Sequence, residues 1–384
     1  MQNPPTRRIP TRVIAPDPLQ LNMLHPRQPN QAPQPLPTPT GKAPYHISLD
    51  SILTPEQMQS IQSAQRLAFH MIGDTGGVKA PEYQMNVAEC METDFDRPDP
   101  TTRPTFFYNL GDVVYYYGEA SQYYSQFYEP YQLYPAPIVA IPGNHDGDVQ
   151  NPANPSLAAF VENFCAPTPR LTREAGDVAR DAMTEPNVYW TLDTPFATLI
   201  GLYTNVPEGG WLDDKQIAWL SSELSSAPTD KALILAMHHP IYSADIMHSG
   251  SKYMEGILDN AVQQSQRWPD LVCAGHVHNY QRFTRTLANR EVPYIVAGGG
   301  GYWHLHNMAK DPEGNPLPTP YPVPGTDVTL ASYCANLHGY LLLEASPTAL
   351  TGSYYAVPNS PPSTGQPSTL IDTFTLDWQA HTVS

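Results

Sequence analysis

Five short motifs in this chain set carboxylate, amide, phenol and imidazole groups beside glycine or proline. In chain order they are Gly73-Asp74-Thr75-Gly76, Gly111-Asp112-Val113-Val114-Tyr115, Gly143-Asn144-His145-Asp146, His238-His239-Pro240 and Gly275-His276-Val277-His278. Carboxylate and phenolate oxygens suit a hard or trivalent cation, and imidazoles suit zinc, iron or manganese. A carboxylate shared by two ions about 3.5–4 Å apart fits in-line displacement at phosphorus, where one ion lowers the pKa of a water and both neutralise the non-bridging oxygens. A lone Gly-His-x-His or Gly-Asp-x-Gly is a weak signal, because a turn with a core histidine or aspartate reads the same. Five motifs in order are a stronger one.

Each motif follows an apolar run. The runs Leu67–Ile72, Thr105–Leu110, Pro137–Ile141, Ala232–Met237 and Leu271–Ala274 are short and continuous, as in strands buried on both faces. Tyr294–Ala297 reads as a sixth. Glycines beside the ligands permit tight turns. Ligands bind outside the carboxyl ends of strands in an open α/β sheet, so all five loops are expected along one edge, facing a common crevice. Thr54-Pro55-Glu56 opens a helix to about Gln65, with threonine as N-cap and proline at the first helical position. Leu212–Leu224 has helical apolar spacing. Gly339–Leu343, Ser353–Ala356 and Thr373–Leu376 read as further strands closing the sheet. Alternating strands and helices predict an α/β fold.

The 384 residues suffice for one large domain or two small ones. Asp plus Glu is 37 against 20 Lys plus Arg, a net charge of −17. That field repels polyanions and argues against a nucleic-acid partner, while a small phosphate ester remains accessible through local metal charge. Cys90, Cys165, Cys273 and Cys334 form no CxxC pair and read as isolated buried thiols, one structural disulfide being the alternative. No segment reaches the ~20 apolar residues of a membrane span, and no signal peptide is visible. The expectation is therefore no membrane partner and a cytoplasmic location as written, a secreted or periplasmic protein with its signal removed being the alternative. Residues 1–50 hold 12 prolines and are expected to be an extended arm lying along the domain or a partly disordered tail, not a folded domain. Residues 51–384 are expected to form a single catalytic domain, with a Pro-rich insertion at about 303–330.

The pattern GDxG, GDxxY, GNH[DE], His-x-Pro and GHxH resembles the calcineurin-like metallophosphoesterases, and specifically their purple acid phosphatase-like branch. Gly275–Arg282 and the Gly298–Gly301 run resemble that branch too, and the likeness covers about residues 66–345. Most relatives begin with Asp-x-His, where the histidine is a ligand. Here Gly76 stands in that place, and Tyr115, three residues after Asp112, would replace the missing ligand.

The resemblance implies an α/β fold: a four-layer α/β/β/α sandwich with two mixed β-sheets. It implies two metal ions. Fe(III) would be held by Asp74, Asp112, Tyr115 and His278, and Fe(II), Zn or Mn by Asp112, Asn144, His238 and His276, with Asp112 bridging. It implies a metal-bound hydroxide as nucleophile and a small phosphate ester as substrate. His145 is expected to contact phosphate and protonate the leaving group. His248 is either a substrate-contacting histidine or a solvated loop residue. About 65 residues precede the first motif, too few and too Pro-rich for the extra domain of plant-type relatives, so the compact type is expected.

His239 is the rival to His238 as a ligand, and Asp146 is expected to orient neighbours. His304 and His306 either line the pocket or stand exposed in the insertion. The tyrosines from Tyr115 to Tyr131 are expected on a helix with an aromatic packing face, with only Tyr115 functional. The four glycines at 298–301 do not fit a dinucleotide fingerprint. Monoester hydrolysis leads. A phosphodiesterase or nucleotidase using the same site is the alternative, and a non-catalytic phosphate- or metal-binding protein is the third reading. The sequence does not fix the oligomeric state.

Overall fold

The computed structural model describes residues 22–23, 32–359 and 367–384. Most of the expected N-terminal arm lies outside the described residues. Its described part lies along the domain. Residues 22–23 pair in parallel with Gly250–Ser251, and His46–Ser48 is already an edge strand of the main sheet, pairing with Trp190–Asp193. Ile47 and Leu49 are buried, which is why this stretch joins the domain before residue 51.

Among the described residues the core is two mixed sheets. The seven-stranded sheet runs in the order Thr382–Val383, Thr369–Asp377, Ala349–Ala356, Gly339–Ala345, Leu67–Ile72, Phe107–Asn109 and Ile138–Ala140, the last three parallel. The nine-stranded sheet runs Tyr321–Pro322, Val328–Cys334, Tyr280–Leu287, Arg290–Ala297, Leu271–Ala274, Ala232–Met237, Ala197–Gly201, Trp190–Asp193 and His46–Ser48. Its strands from Arg290–Ala297 to Ala197–Gly201 are parallel. Every residue of Leu67–Ile72 and Ala232–Met237 is buried, as an apolar strand covered on both faces requires.

The sheets face each other through aromatic contacts. Tyr108 stacks on Trp190 at 5.7 Å, and Tyr280 on Tyr354 at 4.0 Å. The Trp190 indole donates across the interface to the Ala140 carbonyl at 3.1 Å. Helices Asp214–Ser226 and Lys252–Ser265 cover the nine-stranded sheet, tied to it by Thr191–Glu223 and Arg285–Asp259. Helix Glu82–Thr93 covers the other sheet at Gly339–Ala345. The layers are α/β/β/α.

Several expectations need correction. The five motif loops do not share one sheet edge. Three follow strands of the seven-stranded sheet and two follow strands of the nine-stranded sheet, and the crevice forms where the two parallel runs meet. The tyrosine run is not an α-helix. Tyr115–Tyr117 form a turn, and a π-helical segment, Tyr124–Tyr128, follows. Its purpose is visible in Gln126, whose amide brackets the Tyr115 backbone: Tyr115 N donates to Oε1 at 2.9 Å, and Nε2 donates to the Tyr115 carbonyl at 2.8 Å. The insertion ends in a strand, since Val328–Cys334 pairs with Tyr280–Leu287. The helix Pro55–Ala64 has the expected cap, a reciprocal box between Thr54 and Gln57. All four cysteines are free thiols, three of them buried. No helix among the described residues is long and apolar enough to cross a membrane.

Candidate metal centre

Asp74, Asp112, Asn144, His238, His276 and His278 converge from the ends of five parallel strands, and Tyr115 joins them from the turn after Asp112. Asp74, Asp112 and His276 have positive φ angles of 59°, 54° and 68°. Such strained backbone persists only where surrounding structure enforces it, and it gathers at functional sites.

One half of the site is rich in oxygen. The Tyr115 hydroxyl donates to Asp74 Oδ1 at 3.2 Å and lies 3.3 Å from His278 Nε2, which is itself 3.4 Å from Asp74 Oδ1. His278 Nδ1 donates to the His304 carbonyl at 2.9 Å, so in the neutral ring Nε2 carries a lone pair. Burial and the charges of Asp112 and Asp74 push the Tyr115 phenol well above its usual range. The Gly76 substitution has a steric reason. A Cβ there would meet Tyr115 Cδ2 at 2.7 Å and Gln126 Oε1 at 2.5 Å, so the tyrosine occupies the space a side chain at 76 would need.

The other half is rich in nitrogen. Asn144 Oδ1 lies 3.0 Å from both His238 Nε2 and His276 Nδ1. His238 donates its Nδ1–H to the Leu110 carbonyl at 2.9 Å. In the neutral ring its Nε2 would point a lone pair at two acceptors, Asn144 Oδ1 and, at 3.4 Å, Asp112 Oδ1. Burial works against charge on His238, but the attraction of Asp112 outweighs it and pushes the pKa up to about 9. A positive charge is thus favoured between these groups, and a cation meets that demand as well as a proton does. The ligand atoms of Asp74, Asp112 and His238 lie within 4.8 Å of one another. Asp74 is 0% exposed and Asp112 1%. Two buried carboxylates, a phenol, an amide oxygen and three imidazoles are a donor set whose chemistry fits metal ions.

The remaining expected residues separate clearly. His145 donates its backbone N–H to Asp112 Oδ1 at 2.8 Å, and its Nδ1 lies 2.9 Å from the Tyr116 carbonyl. Its ring sits 4.5 Å from that of Tyr115. His248 is at the crevice, its ring 4.6 Å from that of His276. His239 turns Nδ1 to the Thr204 hydroxyl at 2.8 Å and packs beside His276. Asp146 takes backbone N–H groups from Gly143, Val113 and Val114, fastening the Asn144 loop to the Asp112 loop. Burial and the nearby Asp112 charge push Asp146 up to about 7. His304 is exposed, whereas His306 is buried with its ring 4.2 Å from His278, so only the first is a solvent-facing loop histidine.

Sequence reasoning missed Glu208, whose Oε1 is 3.0 Å from His248 Nδ1 and 3.4 Å from His276 Nε2. Its signal was the apolar run Ala197–Gly201, a parallel strand whose following loop must also reach the crevice. Burial disfavours charge on Glu208, but His248 and His276 hold its carboxyl well below the usual range.

Residues 69–280 match the family model described as calcineurin-like phosphoesterase. The chain is 30% identical over 128 residues to Purple acid phosphatase 21 of Arabidopsis thaliana, covering 32% of this chain and 28% of that protein. It is 30% identical over 152 residues to the glycerophosphodiester phosphodiesterase GpdQ of Enterobacter lignolyticus, covering 37% of this chain and 45% of that protein. Its fold is similar to that of purple acid phosphatase PPD1 from yellow lupin (Lupinus luteus) seeds, with a TM-score of 0.55 and 19% identity over 82% of this chain and 55% of that one. The sequence matches span less than half the length of these two curated relatives.

Proposed function

The chain belongs to the calcineurin-like phosphoesterase family, in its purple acid phosphatase-like branch, and we propose that it hydrolyses small phosphate monoesters at a two-metal centre. The observation that carries this reading is the Tyr115 phenol set beside Asp74 and His278, in the space that Gly76 leaves open. Asp74, Asp112, Tyr115 and His278 would hold Fe(III). Asp112, Asn144, His238 and His276 would hold Fe(II), Zn or Mn. When bound, the two ions supply the activated nucleophile and the positive charge that displacement at phosphorus needs.

The chain's own groups do the rest. Asp146 keeps the loops of Asp112 and Asn144 in fixed relation. The Tyr116 carbonyl takes the Nδ1–H of His145, which leaves Nε2 as the atom that gives a proton to the leaving oxygen. His248, at the crevice wall, donates to a phosphate oxygen. The nearby Glu208 carboxylate outweighs the effect of burial and pushes His248 up to about 9, which favours the donor form.

Loading the protein with iron and recording its visible spectrum, alongside hydrolysis of a chromogenic monoester, tests the proposal. The expected result is a tyrosinate-to-iron charge-transfer band that Tyr115→Phe abolishes, together with turnover that His145→Ala lowers by about 10²-fold or more. An iron-loaded protein without the band sinks the Tyr115 assignment. The similarity to a glycerophosphodiester phosphodiesterase favours a second reading, diester hydrolysis at the same centre. Faster turnover of a chromogenic diester than of the monoester selects it. No turnover of either ester leaves the non-catalytic reading.

A further inference from the structure

Glu208 belongs to none of the five motifs, yet one of its carboxylate oxygens reaches two of the site's histidines. It sits on the turn between strand Ala197–Gly201 and helix Asp214–Ser226. The turn is tightly built: Gly210 N donates to the Pro207 carbonyl and Trp211 N to the Thr204 carbonyl, each at 2.8 Å. Asn205, Gly209 and Gly210 hold positive φ angles of 58°, 76° and 81°, a conformation asparagine tolerates and glycine adopts freely. Glu208 Oε1 then lies 3.0 Å from His248 Nδ1 and 3.4 Å from His276 Nε2. His276 turns its other nitrogen to Asn144 Oδ1 at 3.0 Å.

We infer that Glu208 is a positioning residue that orients His276 for the second metal and His248 for phosphate, and that the Pro-rich N-terminal segment holds it in place. The inference rests on the metal-centre reading above. A histidine that gives Nδ1 to a metal keeps its proton on Nε2, and a carboxylate accepting that proton fixes the ring's tautomer and plane. The same oxygen accepts from His248 Nδ1, so the two rings are set relative to each other.

The turn is itself pinned from outside. Asn205 Oδ1 accepts the Gln34 backbone N–H at 2.8 Å and its own neighbour's N–H, from Val206, at 2.8 Å. Asn205 Nδ2 donates to the Gln34 carbonyl at 2.9 Å. Both backbone groups of a residue in the Pro-rich stretch are thus spent on the turn that presents Glu208. Prolines at 33 and 35 stiffen the chain on either side of that contact.

The test uses the full-length, metal-loaded protein and reads binding as well as turnover. Glu208→Ala is expected to weaken retention of the second metal against a chelator and the calorimetric affinity for inorganic phosphate by roughly 10- to 100-fold. Glu208→Gln keeps an acceptor oxygen at the same reach and is expected to recover most of that loss. Asn205→Gly removes the side-chain clamp without straining the positive φ, and is expected to shift both readouts in the same direction by a smaller factor. Thermal melts establish that each variant is folded. Wild-type metal retention and phosphate affinity in Glu208→Ala overturn the inference. So does a third metal equivalent bound by the wild type and lost in Glu208→Ala, which would make Glu208, His248 and His276 a cation site of their own. A wild-type protein that binds metal and phosphate but hydrolyses no ester sinks the functional reading alone, because the variant comparison still decides what Glu208 does.

Discussion

His70 and Asp74 lie four residues apart on one strand and its loop, and both belong to clusters of buried histidine, carboxylate and tyrosine. His70 is 0% exposed. The Tyr134 hydroxyl, 3.0 Å away, can donate to its Nδ1, while Nε2, 3.0 Å from Asp94 Oδ2, can donate to that carboxylate. Arg97 donates to the other Asp94 oxygen at 3.0 Å. Burial pushes His70 down, so a neutral ring satisfies every partner. At Asp74 the residue types are the same and the count is not. With the rings neutral, His278 Nε2, His238 Nε2, Asn144 Oδ1 and the carboxylates of Asp74 and Asp112 present lone pairs to one another, and the pull of Asp112 for positive charge on His238 reports that excess. A histidine–carboxylate cluster is complete when each acceptor meets a proton, and it calls for a cation when acceptors exceed donors.

The largest effect that would break this contrast is at Asp112, the group set between the two halves of the site. Asp112→Asn is expected to leave less than two metals per chain and to lower kcat/KM about 10³-fold, roughly 4 kcal/mol of transition-state charge stabilisation. Its thermal stability should hold, since Asp146 nearby loses a like-charged neighbour. Elemental analysis, a melt and a monoester assay check this. Two metals and wild-type turnover in Asp112→Asn would refute the shared role.

The next effect sharpens the other side. His70→Ala opens a cavity and strips Asp94 and Tyr134 of a partner, so it is expected to cost about 3 kcal/mol of stability in a denaturant titration. Metal content per folded chain should not change. Metal loss in folded His70→Ala would show that the two clusters are not separate after all.

The candidate ligands were legible as five motifs because each falls within a few residues of a strand end and a glycine or proline, while the choice of Asp74, Asp112, Asn144, His276 and His278 within them came from the family resemblance. The split between two sheets was not, because parallel strands of either sheet read as the same apolar run. The four-layer arrangement came from family resemblance rather than from periodicity. Gly76 and Tyr115 were legible as an exchange, but the reason appears only in space, where the ring of one fills the room of the other. Glu208 was hidden because Ala197–Gly201 is short and no glycine-flanked ligand motif follows it directly. Helix Lys252–Ser265 was missed although Ser251 caps it and Met254, Ile257, Leu258, Ala261 and Val262 line one buried face. The π-helical segment after Tyr123 left no sequence signal, since its aromatic spacing suits an α-helix equally well.

The smallest effect concerns a third histidine–carboxylate cluster, a complete one far along the nine-stranded sheet. His46, on the edge strand His46–Ser48, has Nδ1 2.8 Å from Asp193 Oδ2 and Nε2 2.7 Å from Glu223 Oε2. Hydrogen bonds to Asp193 and then Glu223 push its pKa up to about 10, against the opposing effect of burial. Here the protein supplies two acceptors for two protons, so the stable state is the imidazolium and no metal is called for. The folded pKa lies above the ordinary value of 6.5, so this contribution is fully present below pH 6.5 and is lost as pH rises through about 10. The side chain is 35% exposed, and solvent screening holds the expected gain to about 1 kcal/mol. Chemical denaturation of wild type and His46→Gln at pH 6 and at pH 10.5 should therefore give a stability difference at the lower pH that shrinks at the higher one. A difference that grows with pH would mean that His46 is held neutral, and the rule that separates complete clusters from metal-demanding ones would fail where it is easiest to check.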